Sequence, residues 1–180
     1  MSGDSVPLGE VPGDVRMTIR KFDTNLTSQD SRDFSFALLN NQGFVPDILH
    51  DVKALTVAMA GMFSTSATPW VLVQPDGQMG GVFFIGDIVP EHEGTLYLWV
   101  WDKSCWSPDV AGFVREYINH VAESYLLRRV VARTPCERLG RMLDGCLGMR
   151  IEGRFKSGFK SGGRCSTLYQ HRRLFSNMEA

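Results

Sequence analysis

Cysteine and histidine side chains are frequent metal ligands and nucleophiles, and in this sequence they are scattered. No two of the four cysteines form a C-x-x-C pair, and the four histidines are equally dispersed. This spacing predicts no metal centre, and it predicts thiols that stay reduced, as in a cytoplasmic protein. The residues concerned are Cys105, Cys136, Cys146, Cys165, His50, His92, His120 and His171.

Basic side chains are concentrated in the last third of the chain. Residues 126–180 hold 12 Lys and Arg against 4 Asp and Glu, a net charge of +8, whereas residues 1–125 hold 7 against 16, a net charge of −9. Arg138 and Arg141 lie one helical turn apart and could face one anion or form a solvated basic face. The asymmetry predicts either an anionic partner or two halves that neutralise each other across their own contact.

The composition is that of a soluble globular protein. Hydrophobic residues make up 43% and charged residues 22% of the 180 positions, as in ordinary domains, and no apolar run reaches the about 18 residues of a membrane span. Residues 1–16 lack the basic and apolar regions of a secretory signal, and their Gly, Pro and acidic content predicts a flexible tail. We expect one cytoplasmic domain over residues 17–176.

The spacing of apolar residues predicts the elements of the first half of the chain. We expect a strand at 17–22, a helix at 30–40, a turn at 40–43 and a second helix at 45–63. Residues 68–102 are three β-runs separated by the turn sequences "PDGQ" and "PEHEG". Such turns predict an antiparallel meander.

The clearest helix of the sequence is expected at 107–125. Ser107 can cap it, Pro108 suits its first turn, and apolar residues recur at helical spacing. A β-α-β step around this helix predicts two parallel strands. The remaining elements are expected to be a strand at 128–133, a helix at 137–146, a strand at 149–157, a glycine-rich hairpin loop at 156–163 and a closing strand at 165–175.

This order of elements, β-α-α-β-β-β-α-β-α-β-β, resembles the GNAT superfamily of acyl-CoA-dependent N-acetyltransferases. The segment "ARTPCERLGRMLDGCLGMRIEGRFK" is similar to the family's terminal pattern, in which a helix ends in Leu-Gly-Phe and a strand ends in Glu-Gly. The pattern of residues is most similar to that of the ribosomal-protein acetyltransferase branch. The resemblance covers residues 17–175. It implies an α/β (α+β) fold with a mixed, mostly antiparallel central sheet of about seven strands and helices on both faces. The matching residues are Leu147, Gly148, Met149, Glu152 and Gly153.

The resemblance implies transfer of an acetyl group from acetyl-CoA to an amine acceptor, with the cofactor bound between the fourth strand and the next helix. The family places Arg/Gln-x-x-Gly-x-Gly/Ala there, so that backbone N–H groups bind the pyrophosphate. This sequence has "WDKSCWSPDVAG" instead. Trp99, Trp101 and Trp106 bracket this cleft as core residues or as an aromatic wall. The candidate cofactor-binding residues are Val100, Trp101, Lys103, Ser104, Ser107, Arg138 and Arg141.

The implied reaction removes a proton from an amine, which then attacks a thioester. The family often uses a Glu on the fourth strand as the base, and the matching segment "TLYLWVWD" contains none. Asp102 is therefore the candidate base, and Tyr169 on the last strand is the candidate acid. Tyr97 competes with Tyr169 for the role of acid, and the sequence does not choose between them. The alternative bases are Asp87, Glu91, His92 and Glu93.

Two other functions are open at this stage. The departures from the family's loop and base favour a GNAT-like binding or structural protein that does not use CoA, such as those associated with phages. The basic segment "RFKSGFKSGGR" favours a nucleic-acid-directed GNAT relative, with Lys156, Lys160 and Arg164 as contacts. The acceptor is not specified by the sequence, and an edge strand near the C-terminus could pair two copies into a homodimer.

Overall fold

A computed structural model describes residues 17–41, 52–161 and 163–175. The strands are β1 (Thr18–Lys21), β2 (Trp70–Val73), β3 (Met79–Val89), β4 (Glu93–Val100), β5 (Arg129–Thr134), β6 (Arg150–Ser161) and β7 (Arg164–Leu174). The helices are α1 (Gln29–Asn40), α2 (Val52–Ser64), α3 (Pro108–Ser124) and α4 (Glu137–Leu147). Among these residues the elements follow the order that the sequence predicted.

All seven strands form one sheet, in the order β1-β2-β3-β4-β5-β7-β6. Neighbouring strands pair antiparallel, except that β4 and β5 pair parallel. The expected meander of β2, β3 and β4 and the expected parallel step across α3 are therefore confirmed. The sheet is mixed and mostly antiparallel, as the resemblance implied.

Helices cover both faces of this sheet. On one face, α3 and α4 pack a core that contains Phe83, Ile118 and Leu147. On the opposite face, α1 and α2 pack a second core around Phe34 and Phe84. Successive β3 residues thus enter different cores, because side chains alternate across a strand. The predicted fold class is confirmed.

The β6–β7 hairpin differs from the sequence-based expectation. Residues 156–163 were predicted as a loop, but β6 continues to Ser161 and pairs there with Arg164. The extra residues form a bulge between Phe155 and Phe159, where Ser157 has a φ of 52°. Ladder hydrogen bonds to β7 outweigh the low strand propensity of the glycines, since a bulge accommodates them without ending the strand.

Some predictions fall on residues that are not described. The tail at 1–16 lies outside the described residues, so the division at residue 17 stays a prediction. The turn at 40–43 and the start of the helix expected at 45–63 also lie mostly outside them. The part of that helix that is described, Val52–Ser64, is helical as predicted.

Tyr117 connects α3 to the sheet where β3 extends beyond the end of β2. The last β2–β3 pair joins Trp70 to Phe83, so the N–H of Ile85 lacks a β2 acceptor. This N–H donates instead to the Tyr117 hydroxyl at 3.1 Å, and the hydroxyl donates to the carbonyl of Thr68 at 3.1 Å. One buried phenol therefore satisfies two backbone groups of the sheet.

We expect the substitution Tyr117→Phe to lower the free energy of unfolding by about 1–3 kcal/mol, because it leaves a buried donor and acceptor without partners. Urea denaturation measures this change. Tyr125→Phe is the matched control, since it removes the same hydroxyl from an exposed residue just after α3. Equal effects of the two substitutions would contradict the assigned role of Tyr117.

Candidate functional site

The parallel strands β4 and β5 separate after three residue pairs, the last of which joins Thr95 to Val131. Beyond this point β4 pairs only with β3, and β5 pairs only with β7. The facing edges of residues 96–100 and 132–134 therefore carry unpaired backbone N–H and C=O groups. We call the gap between these two segments the central cleft. Its edges can hydrogen-bond an extended ligand as an additional strand would.

Tyr97, on the β4 side of the central cleft, contacts Asp87 of β3. The hydroxyl of Tyr97 donates a hydrogen bond to a carboxylate oxygen of Asp87. The Tyr97 ring stacks between Phe84 and Trp99, at centroid distances of 5.0 and 5.4 Å. Burial and the hydrogen bond to Asp87 raise the pKa of Tyr97 well above its usual value. The phenol therefore stays protonated at neutral pH.

Asp87 is held in an unusual backbone conformation. It has a φ of 48°, and it lies where the register of β3 and β4 shifts between Gly86 and Val89. Aspartate is one of the few residues that tolerate this left-handed region, and backbone strain of this kind clusters at functional sites. The bulge is what brings the Asp87 carboxylate to Tyr97.

Asp102, the predicted base, caps the 3-10 helix Lys103–Cys105 that follows β4. Its carboxylate accepts the N–H of Ser104 at 2.8 Å. This hydrogen bond lowers the pKa of Asp102, which makes the carboxylate a weaker base. The catalytic roles of Asp102 and of Asp87, which sequence reasoning offered only as an alternative, both stay predictions.

Tyr169, the predicted acid, lies on the opposite sheet face from Tyr97. It is paired with Thr134 at the end of β5, one strand away from the central cleft. It lines a cavity of about 140 Å³ beneath α4, together with Arg141 and His171, and the Arg154 guanidinium lies 5.8 Å from its ring centroid. The two tyrosines that the sequence could not rank are thus separated by the sheet.

The two arginines of α4 have different surroundings. Arg141 reaches the cavity beside Tyr169, and its guanidinium also lies 3.3 Å from the carboxylate of Glu137. Arg138 is exposed and does not line that cavity. The structure therefore brings only Arg141 near another predicted site residue, and the anion-binding role of both arginines stays a prediction.

The backbone donors between β4 and α3 are largely used inside the protein. The carbonyl of Gly80 accepts the N–H groups of Trp101 and Asp102, each at 3.1 Å. A Cβ on Gly80 would lie 2.2 Å from the sulfur of Cys105, so the loop packs directly on this glycine. Further N–H groups with acceptors inside the segment are those of Ser104, Cys105, Trp106 and Val110.

Side chains of the segment can also reach a phosphate. Lys103 and Ser104 are exposed, whereas the Ser107 hydroxyl already accepts the N–H of Val110 at 3.3 Å. Pro108 begins α3 and has no N–H to offer. Fewer backbone donors of this segment are therefore available than in a glycine-rich loop, and binding of a pyrophosphate here stays a prediction.

The tryptophans of this region contribute to the two cores. Trp99 and Trp101 pack on Phe34, at centroid distances of 5.3 and 6.3 Å, and the indole N–H of Trp101 donates to the carbonyl of Met79 at 2.7 Å. Trp106 and Val100 pack against the core beneath α3. These contacts favour the core interpretation over an aromatic wall.

The basic β6–β7 hairpin lies away from the central cleft, at the end of the sheet. Lys156, Lys160 and Arg164 are exposed on it, and β6 is an edge strand. An anionic partner and a homodimer formed along this edge both stay predictions.

Among the described residues, no group of three or more His, Cys, Asp or Glu side chains is placed to hold a metal ion. None of the helices in the described ranges is long and apolar enough to span a bilayer.

No protein-family model and no curated protein matches this sequence, but solved structures match its fold. Ribosomal-protein-S5-alanine acetyltransferase from Vibrio fischeri has a TM-score of 0.69 and 12% identity, covering 97% of this chain and 100% of that one. RimJ from Mycobacterium smegmatis, in complex with CoA-disulfide, has a TM-score of 0.63 and 16% identity, covering 91% and 84%. A mutant spermidine N-acetyltransferase SpeG from Vibrio cholerae has a TM-score of 0.64 and 13% identity, covering 89% and 95%.

These neighbours are GNAT acetyltransferases, and they include ribosomal-protein acetyltransferases. The chain therefore has the GNAT fold, as the order of its elements and its terminal pattern implied. At such low identities the likeness concerns the fold, and the chemistry must be argued from the site.

We expect Asp87→Asn to lower the pKa of Tyr97, because a neutral amide no longer repels the tyrosinate. A pH titration followed by NMR of ¹³C-labelled tyrosine measures this pKa, and Tyr97→Phe identifies the signal. Asp76→Asn, in the turn between β2 and β3, is the control and should leave that pKa unchanged. If Asp87→Asn also leaves it unchanged, the two side chains do not interact as described.

Proposed function

We propose that this chain transfers an acyl group, in the simplest case acetyl from acetyl-CoA, to an amine in the central cleft. The observation that carries the proposal is the divergence of β4 and β5 beside the Asp87–Tyr97 pair, within a GNAT fold. The unpaired strand edges suit the amide-bearing arm of coenzyme A, which can lie between them like a short strand.

The reaction needs one proton acceptor and one proton donor. The amine loses a proton to Asp87, directly or through water, and its nitrogen attacks the thioester carbonyl carbon. The tetrahedral intermediate then breaks its C–S bond, and the leaving thiolate takes a proton. Tyr97 holds the Asp87 carboxylate in place from the β4 side. Tyr169, on the opposite face and one strand from the cleft, is the candidate donor to the thiolate.

The two sheet faces would then serve different substrates. The amine would approach from the α1–α2 face, where Asp87 and Tyr97 lie, and the thioester from the α3–α4 face. Lys103, Ser104 and the α4 arginines are the candidates for binding the phosphates of the donor.

We expect Asp87→Asn to lower kcat by about 10²–10⁴-fold, because the amine loses its general base. Thiol release from acetyl-CoA in the presence of an amine panel measures the rate. Calorimetry should give the same acetyl-CoA affinity for the variant, and Asp76→Asn should retain full activity. Unchanged turnover in Asp87→Asn, with acetyl-CoA bound, would remove Asp87 from the mechanism.

A second function is favoured by the loop between β4 and α3. Most of its backbone donors have acceptors inside the protein, so a GNAT-fold binding protein that does not use CoA would look the same there. Calorimetry separates the two functions. Saturable binding of acetyl-CoA supports the enzyme, and no binding at about 1 mM cofactor supports the binding protein.

If acetyl-CoA binds, we expect side-chain charges to contribute to the binding of its phosphates. We expect Lys103→Gln to weaken binding of acetyl-CoA by about tenfold, equivalent to about 1.4 kcal/mol, and to reduce its dependence on salt. Lys160→Gln on the β6–β7 hairpin is the control with the same change of charge. An identical affinity and salt dependence in Lys103→Gln would place the phosphates elsewhere.

A further inference from the structure

Arg133 faces the Asp87–Tyr97 pair across the central cleft. It lies on β5 two residues after Val131, in the position that would pair with Tyr97 if the β4–β5 ladder continued. Its neighbours Val130 and Ala132 enter the core beneath α3, so Arg133 points to the other face, on which Tyr97 lies. Burial and Asp87 raise the pKa of Tyr97, and the charge of Arg133 partly opposes that rise, which agrees with their proximity.

The Arg133 guanidinium is oriented by a neutral group. Its Nε donates to the side-chain oxygen of Gln170 at 2.9 Å. The amide nitrogen of Gln170 donates to Glu152 at 2.8 Å, which fixes the amide with its oxygen towards Arg133. The rotamer of the arginine is thereby restrained without neutralising its charge.

Arg133 has no carboxylate partner within the described part of the chain. The nearby acid Glu152 is occupied by Arg172 and Arg129, at 2.9 and 3.5 Å. Arg133 itself is exposed, and no Nη atom of it makes a hydrogen bond or ion pair with another described residue. Its two Nη groups are therefore available to bind a carboxylate, a geometry for which the guanidinium is well suited.

The charges on the two walls of the cleft are opposite. Asp87 on the β3–β4 side favours the ammonium form of an approaching amine, and Arg133 on the β5 side favours an anion. A ligand that carries both groups would be oriented with its amine towards Asp87. A polyamine would instead be repelled by Arg133, so the same residue would discriminate against it.

We propose that Arg133 binds a carboxylate of the acceptor, and that the acceptors of this site are amines that also carry a carboxylate. This inference rests on the proposed acyl transfer and names its substrate class. Arg133 contributes to specificity because it orients the acceptor. The proton of the amine goes to Asp87.

The experiment compares acceptors that differ only in this charge. β-Alanine and γ-aminobutyrate are each assayed with acetyl-CoA against their carboxamides, and the C-terminally amidated dipeptide Ala-Asp is assayed against amidated Ala-Asn, with spermidine as the polycation. We expect kcat/KM to be at least tenfold higher for the carboxylates than for the carboxamides. The dipeptide arm tells whether the carboxylate belongs to a small amino acid or to a peptide next to its N-terminus.

Substitutions of Arg133 test whether this residue causes the preference for carboxylate acceptors. Arg133→Gln should raise KM for the carboxylates by about tenfold, leave kcat within twofold, and leave the carboxamides unaffected, whereas Arg133→Lys should keep part of the preference. Arg128→Gln, just before β5, is the control with the same change and should retain the wild-type preference.

The outcomes separate this inference from the function on which it rests. If acetyl-CoA is bound and transferred equally well to carboxylates and carboxamides, the inference is wrong and the acyl transfer stands. The same holds if Arg133→Gln keeps the full preference. If calorimetry detects no acetyl-CoA binding, the proposed function fails, and the acceptor inference falls with it.

Discussion

The short parallel pairing of β4 with β5 is the constraint on which the rest of this structure depends. β4 pairs with β3, except at the bulge, and β5 pairs with β7 along its length. The two strands pair with each other only as far as Thr95 and Val131. A sheet that was fully paired at this point would leave no unpaired backbone groups in its centre and no passage between its two faces.

Hydrogen bonds between neighbouring strands position the side chains near the central cleft. The β3 bulge at Asp87 reaches Tyr97 on β4, and Arg133 on β5 is restrained by Gln170 on β7. The first contact joins a carboxylate to a neutral phenol, and the second joins a guanidinium to a neutral amide. Neither contact is an ion pair, so neither neutralises the charge of Asp87 or Arg133.

Much of the fold could be predicted from the sequence, because local signals agreed with one another. The cap at Ser107, the apolar stripe of α3 and the turn sequences around β3 each indicated the element that the structure contains. The prediction that was wrong, the loop at 156–163, depended on glycines alone. Strand pairing along β7, a non-local contact, decided that segment. The candidate site was harder to predict. Asp87 and Tyr97 were expected only as alternatives, and Arg133 was not identified, because no local pattern shows the strand pairing that puts Arg133 on the same sheet face as Tyr97.

The sequence by itself determined the kinds of elements, their order and the absence of glycines from the loop before α3, since these depend on local composition and periodicity. Only the tertiary structure decided that Asp87 rather than Asp102 lies against a protonated tyrosine, and that Tyr97 and Tyr169 are on opposite faces. The physical reason is register: a shift of one residue moves a side chain to the other face of a sheet. That register is set by bulges and by pairing between distant strands, which no local pattern encodes.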